Sequence, residues 1–284
     1  MTPTLLGALW RAETLKLFSR GSARFGLGIA ALASVAGVFA LWQLSGSQMV
    51  VNGASVESLL AESANAPAAL RWGLYLRNFF ILPAFVILLS AQSLAGELQA
   101  RTLREELLRP VPRWAMLVAK WGALGAWIGA TLGVAWVIGA VGGMILLGTG
   151  GPWAEVALGY LACFCCDLGL AAISLAVAVL VHGVAGTVVG TFLFLVLGVF
   201  LGWGLLFLSW LAGIDAVRTS AGGLVWVLDW VVKAEPWLPP AALRAWMGVS
   251  TATDWIWQSF ASLAGITSAA LALTARRLAG LDLP

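Results

Sequence analysis

The chain has 284 residues, 61% of them hydrophobic and only 10% charged, with a formal net charge of +3 and a mean hydropathy of +0.95. A soluble domain is excluded, because it could not hide so many continuous apolar runs, whereas a bilayer crossing needs roughly 20 such residues. The basic excess is small and divided unequally along the chain, which reads as a membrane-topology signal and not as a nucleic-acid surface.

The first 24 residues open with Thr2-Pro3, a cap followed by proline at the first helical position. In this helix Glu13, Lys16 and Arg20 are read as one face and Trp10, Leu17 and Phe18 as another, an arrangement that lets it lie along the inner membrane surface. Its positive charge as a plain topology signal is an equal reading. The apolar run that follows Arg24 is too long for a cleaved signal peptide, so it is taken as an uncleaved first span.

Six spans are predicted: Phe25 to Leu44, Trp72 to Ala95, Met116 to Leu147, Val156 to Val181, Val184 to Leu211 and Trp255 to Leu273. The third exceeds what a bilayer needs and should tilt or extend into the interface. The loop from Ser45 to Leu70 is polar, rich in small residues and carries no recognisable signal. Pro83, inside the second span, should kink it. Arg11, Lys16, Arg20 and Arg24 fall on one side, with Arg101, Arg104, Arg109, Arg113, Lys120, Arg276 and Arg277. The other side holds a thinner set, so both termini are expected in the cytoplasm of a multi-pass protein of the cell (inner) membrane.

Between spans two and three, residues 96–114 form a short, intensely charged cytoplasmic segment. Glu97, Arg101, Glu105 and Arg109 recur every fourth residue and make one ladder on a helix, with Leu98, Leu103, Leu107 and Leu108 as its apolar contacts. Pro110 and Pro112 end it. Between spans five and six, residues 212–254 lie outside the membrane. Their run from Leu224 to Val232 is too apolar to be solvated and too short to cross, so a re-entrant or surface-lying helical pair is expected. Tryptophans at span ends, among them Trp42, Trp72, Trp121 and Trp153, are explained by interfacial anchoring without a ligand.

Catalytic equipment is sparse. No phosphate-binding loop of the Gly-x-x-x-x-Gly-Lys-Ser/Thr type and no His-Glu-x-x-His occurs, and the single histidine, His182, falls at a turn. No catalytic or metal-binding residue is therefore assigned. Cys163 and Cys166 share a helix face that Cys165 does not, and all three read as small apolar residues. Asp167, near the middle of the fourth span, is the sharpest buried polar feature. Arg77 in the second span is its candidate ion-pair partner, and the pair is either structural or part of a pathway.

Ala95-Gly96-Glu97, Arg101-Thr102-Leu103-Arg104, Leu107-Leu108, Pro110-Val111-Pro112-Arg113 and Lys120, following an apolar second span, resemble the permease subunits of type 2 ABC exporters. Arg101 stands where that family usually has glycine. The resemblance implies an all-α, single-domain permease over residues 1–284 that pairs with a second permease, as homodimer or heterodimer, amid membrane lipid. A separate cytoplasmic ATP-binding subunit would hold the ATP, leaving this chain without a cofactor and not an enzyme by itself. Residues 96–114 would then be the coupling helix, with Glu97, Arg101, Arg104, Glu105 and Arg109 as the ATPase contacts. The competing readings are a non-transporting membrane scaffold or sensor and an intramembrane enzyme.

Overall fold

Long apolar runs in a bilayer have no water to bond their backbone, so they close their own hydrogen bonds as helices. The computed structural model describes residues 3–46, 50–51, 54–55, 64–78, 81–100, 102, 112–212, 233 and 256–280. These form α1 (Pro3–Ser19), α2 (Gly21–Ser45), β1 (Val50–Val51), β2 (Ala54–Ser55), α3 (Ala66–Asn78), α4 (Ile81–Gln99), α5 (Arg113–Leu147), α6 (Trp153–Val181), α7 (Val184–Ala212) and α8 (Ile256–Ala279). By length and composition α2, α4, α5, α6 and α8 are apolar enough to cross a membrane. Helix α7 has 29 residues and is apolar over Val184–Gly198. The protein is thus a multi-pass, helical membrane protein.

Three expectations are corrected. The predicted span Trp72 to Ala95 is two helices, α3 and α4, on either side of residues 79–80. Helix α3 begins six residues earlier than predicted, because Arg71, Arg77 and Asn78 lower the hydropathy of a segment that is nonetheless largely buried. The loop read as featureless holds a minimal antiparallel ladder, Val50 opposite Ser55 and Val51 opposite Ala54, within a fold that is otherwise all-helical. The sequence between the strands is Asn52-Gly53, a strong two-residue hairpin signal. Pro83 falls in the first turn of α4, where a missing N–H removes no hydrogen bond of that helix.

The third correction concerns α1. At 3.6 residues per turn Trp10, Glu13, Leu17 and Arg20 share one stripe and Leu15 lies opposite. The structure follows that geometry: Leu17 is buried, Glu13 reaches Lys120, and Trp10 lies over Gly122, where a Cβ would meet its ring at 3.0 Å. Leu15 is 66% exposed. The charged and apolar residues of α1 therefore pack together against α5 and not on separate faces.

Two sets of contacts fix which helix ends lie together. At one end Arg113, at the start of α5, donates to the carbonyls of Leu278 (2.6 Å) and Ala279 (2.9 Å), satisfying orphan acceptors at the end of α8. Gly96 of α4 approaches Val184 of α7 at the same end. At the far end the Ala66 N–H bonds the Gly148 carbonyl at 3.1 Å, and Arg71 pairs with Glu155 at 2.7 Å. Arg11, Lys16, Arg20, Arg24, Arg113, Lys120, Arg276 and Arg277 thus belong to one end of the bundle.

Small residues allow the close packing between these ends. A Cβ at Gly143 would sit 2.8 Å from Ala66 Cα, and one at Gly37 would sit 2.5 Å from the Gly73 nitrogen, so α5 and α2 each press on α3 backbone to backbone. In α5, Gly122 meets α1, Gly125 and Gly129 meet Leu168 and Phe164 of α6, and Gly133 meets nothing within 4 Å among the described residues. Trp127 fills the interior, fully buried, with its indole N–H donated to the Ala23 carbonyl at 3.0 Å. Exposed Leu32, Phe39, Val137, Ile145, Leu193 and Phe200 give the outside an apolar surface suited to lipid.

Candidate functional site: two buried charge clusters

The first cluster lies where α1, α4 and α5 meet at the basic end. Glu97 is in the last turn of α4 and 5% exposed, and Lys120, in the second turn of α5, is 1% exposed. One Glu97 carboxylate oxygen accepts from Lys120 at 2.6 Å, and the other accepts from Lys16 of α1. Lys120 also reaches Glu13 at 3.1 Å. The result is an alternating chain, Lys16 to Glu97 to Lys120 to Glu13, which keeps each buried charge beside an opposite one. A small cleft opens beside it, lined by Glu13, Lys16, Leu17, Arg20, Ser93, Lys120, Ala123 and Leu124.

Glu97 is therefore turned inward. The sequence ladder groups it with Arg101, Glu105 and Arg109 as an outward contact, but its carboxylate is occupied by two lysines from neighbouring helices. Arg101, Arg104, Glu105 and Arg109 lie outside the described residues, as does the run from Leu224 to Val232. What the structure supplies is the join: the segment leaves α4 just beyond Glu97 and re-enters at Arg113, which is bound to the end of α8.

The second cluster is in the middle of the bundle. Asp167 lies 14 residues into α6, which is about 21 Å along a helix of about 43 Å. Arg77, at the end of α3, places Nη2 2.7 Å from the Asp167 carboxylate, and both side chains are fully buried. The same nitrogen donates to Thr131 Oγ1 of α5 at 3.2 Å. Nη1 donates to Asn78 Oδ1 at 2.7 Å and approaches Cys163 Sγ at 3.4 Å. Asn78 Nδ2 reaches the same sulfur at 3.1 Å. Three helices are thereby held around one guanidinium, whose fixed fork suits several acceptors at once.

Asn78, Thr131 and Cys163 are missed as partners in the sequence, although Asn78 adjoins Arg77 and Cys163 lies one helical turn from Asp167, so a 3.6-residue period would have linked the latter pair. Cys165 and Cys166 are half-buried, and none of the three cysteines forms a disulfide among the described residues. Among the described residues no group of three or more His, Cys, Asp or Glu is arranged to hold a metal ion. His182 is exposed in a left-handed conformation (φ 59°) at the end of α6, its N–H bonded to the Ala178 carbonyl.

Neither cluster presents a nucleophile beside a base or an open metal position; both are paired charges that tie helices together. No curated protein matches the chain. The family described as "ABC-2 family transporter protein" matches residues 11–202, a stretch that runs from the middle of α1 through most of α7 and takes in every residue of both clusters. With more than half of its length matched, the chain belongs to the ABC-2 transporter family and is a membrane-spanning permease subunit of a type 2 ABC transporter.

Proposed function

We propose that the chain is the permease of an ATP-driven exporter, working as a dimer of permeases with separate cytoplasmic ATPase subunits. Family membership supports the ATP-binding partner, and it accounts for a sequence with no phosphate-binding loop of its own. Six spans, with α7 the fifth, place both termini on the basic, cytoplasmic side of the cell (inner) membrane. The charged segment from residue 96 to residue 114 is the coupling helix. Arg101, Arg104, Glu105 and Arg109 meet the ATPase, while Glu97 is the anchor by which that helix pulls on the membrane helices.

The observation that carries this reading is the inward-facing Glu97, joined to Lys16 and Lys120 at the root of the charged segment. A helix docked on an ATPase transmits force only if its root is bound to the transmembrane bundle. Here the root bonds α1 and α5 together with α4. ATP-driven closure of the ATPases then shifts α1, α4 and α5 together and switches the pathway between the permeases from inward to outward access.

Co-purification of the ATPase with a charge-reversed permease, Glu105→Lys with Arg109→Glu, tests the docking assignment. The reading expects association to fall while membrane insertion is unchanged. Undiminished association would refute it. ATP hydrolysis by the complex that rises with a transported compound separates a transporter from a scaffold or sensor, and turnover of a substrate by the permease alone would identify an enzyme.

A further inference from the structure

We infer that the mouth of the small cleft between α1 and α5, beside Arg20, binds the phosphate of an anionic membrane lipid. Its charged lining is unbalanced. Lys16, Arg20 and Lys120 supply three positive charges, and Glu13 with the adjoining Glu97 supplies two negative ones. Lys16, Lys120 and both carboxylates are engaged with one another. The surplus falls on Arg20, whose Nη1 is buried with no hydrogen-bond partner among the described residues. A buried guanidinium nitrogen left without an acceptor is costly, and a phosphate oxygen is the acceptor that best fits its planar fork.

The surroundings select a lipid over a soluble phosphate. Trp10, on the same stripe of α1 as Arg20, is 45% exposed and Phe25 of α2 is 64% exposed, so the helices on either side of Arg20 carry uncovered apolar side chains on which acyl chains can lie. Ser93 adds a hydroxyl to the cleft wall. The site adjoins the cluster that anchors Glu97. A lipid phosphate there adds a counter-charge to that cluster, and the inference holds whether or not the charged segment docks an ATPase.

The test uses the delipidated full-length chain in detergent, titrated with phosphatidylglycerol, phosphatidylcholine or inorganic phosphate and read by native mass spectrometry. The wild-type chain is expected to bind phosphatidylglycerol about tenfold more tightly than phosphatidylcholine, with Arg20→Gln removing that preference and Arg24→Gln preserving it within about twofold. Arg20→Lys, which keeps the charge, should retain part of the preference. Equal phosphatidylglycerol binding by wild type and Arg20→Gln overturns the site, and so does an equal loss in Arg24→Gln. Displacement of phosphatidylglycerol by millimolar inorganic phosphate, with no preference between the lipids, overturns the lipid assignment. If Arg20→Gln aggregates, a wild-type ratio of the two lipid affinities near one overturns the proposal by itself.

Discussion

The two buried clusters use the same chemistry to opposite ends. In the middle of the bundle an arginine meets a carboxylate, both fully buried, and neutral Asn78, Thr131 and Cys163 also bond the guanidinium. At the basic end, two lysines and two carboxylates alternate, with Lys120 sealed in, Glu97 nearly so, Glu13 at 15% and Lys16 at 41% side-chain exposure. The other side chains bonded to the Arg77 guanidinium are neutral, so the central pair locks α3, α5 and α6 in one arrangement. The edge chain offers each inner charge two partners and reaches water at Lys16, so charges can exchange partners as α1, α4 and α5 shift. A rigid lock and an adjustable joint are what a permease requires if its core moves as a body while its cytoplasmic end is pulled.

The largest expected effect follows from removing one half of the lock. Asp167→Asn leaves the Arg77 guanidinium buried without its counter-charge and is expected to cost about 3–5 kcal/mol of stability, seen as a lowered unfolding midpoint in detergent. Arg77→Gln with Asp167→Asn should cost less than the two single changes together. Strict additivity would show that the pair is not coupled and would break the contrast.

A smaller loss is expected at the joint. Glu97→Gln leaves Lys120 with Glu13 still at hand, so about 1–3 kcal/mol is expected by the same measurement. A loss equal to that of Asp167→Asn would make the edge cluster a second lock. Lys16→Met removes a side chain that is 41% exposed, and solvent screening limits its effect to less than about 1 kcal/mol. The far-end pair Arg71 and Glu155, at 35% and 47% exposure, sets the floor: Arg71→Gln should change stability by no more than about 0.5 kcal/mol, and raising the salt toward 1 M should erase the difference. A salt-sensitive Arg77–Asp167 pair would contradict its burial.

How much of this was legible follows from what each feature needs. Asp167 announces itself because a carboxylate within an apolar run must find a partner, and Arg77 is the nearby basic residue inside a predicted span, so the pair can be named from sequence. Glu97 is misplaced for the converse reason. A glutamate at the edge of a charged segment looks solvated, and nothing local reveals that Lys16, 81 residues away, and Lys120, 23 residues away, converge on it. Sorting the residues of α1 by polarity separates what the helical period puts together, Trp10, Glu13, Leu17 and Arg20. Val50 to Ser55 was legible through Asn52-Gly53, and the start of α3 was hidden because its two arginines are charged yet paired.

The central claim is that Glu97 joins the coupling segment to the membrane helices. Hydrogen–deuterium exchange on the permease with its ATPase, with and without trapping by ATP and vanadate, tests it most directly in wild type and Glu97→Gln. The account predicts that trapping changes protection in α1 and the first turns of α5 in the wild type, and that in Glu97→Gln the change stays within the charged segment. Equal changes in α1 and α5 for both proteins would contradict it.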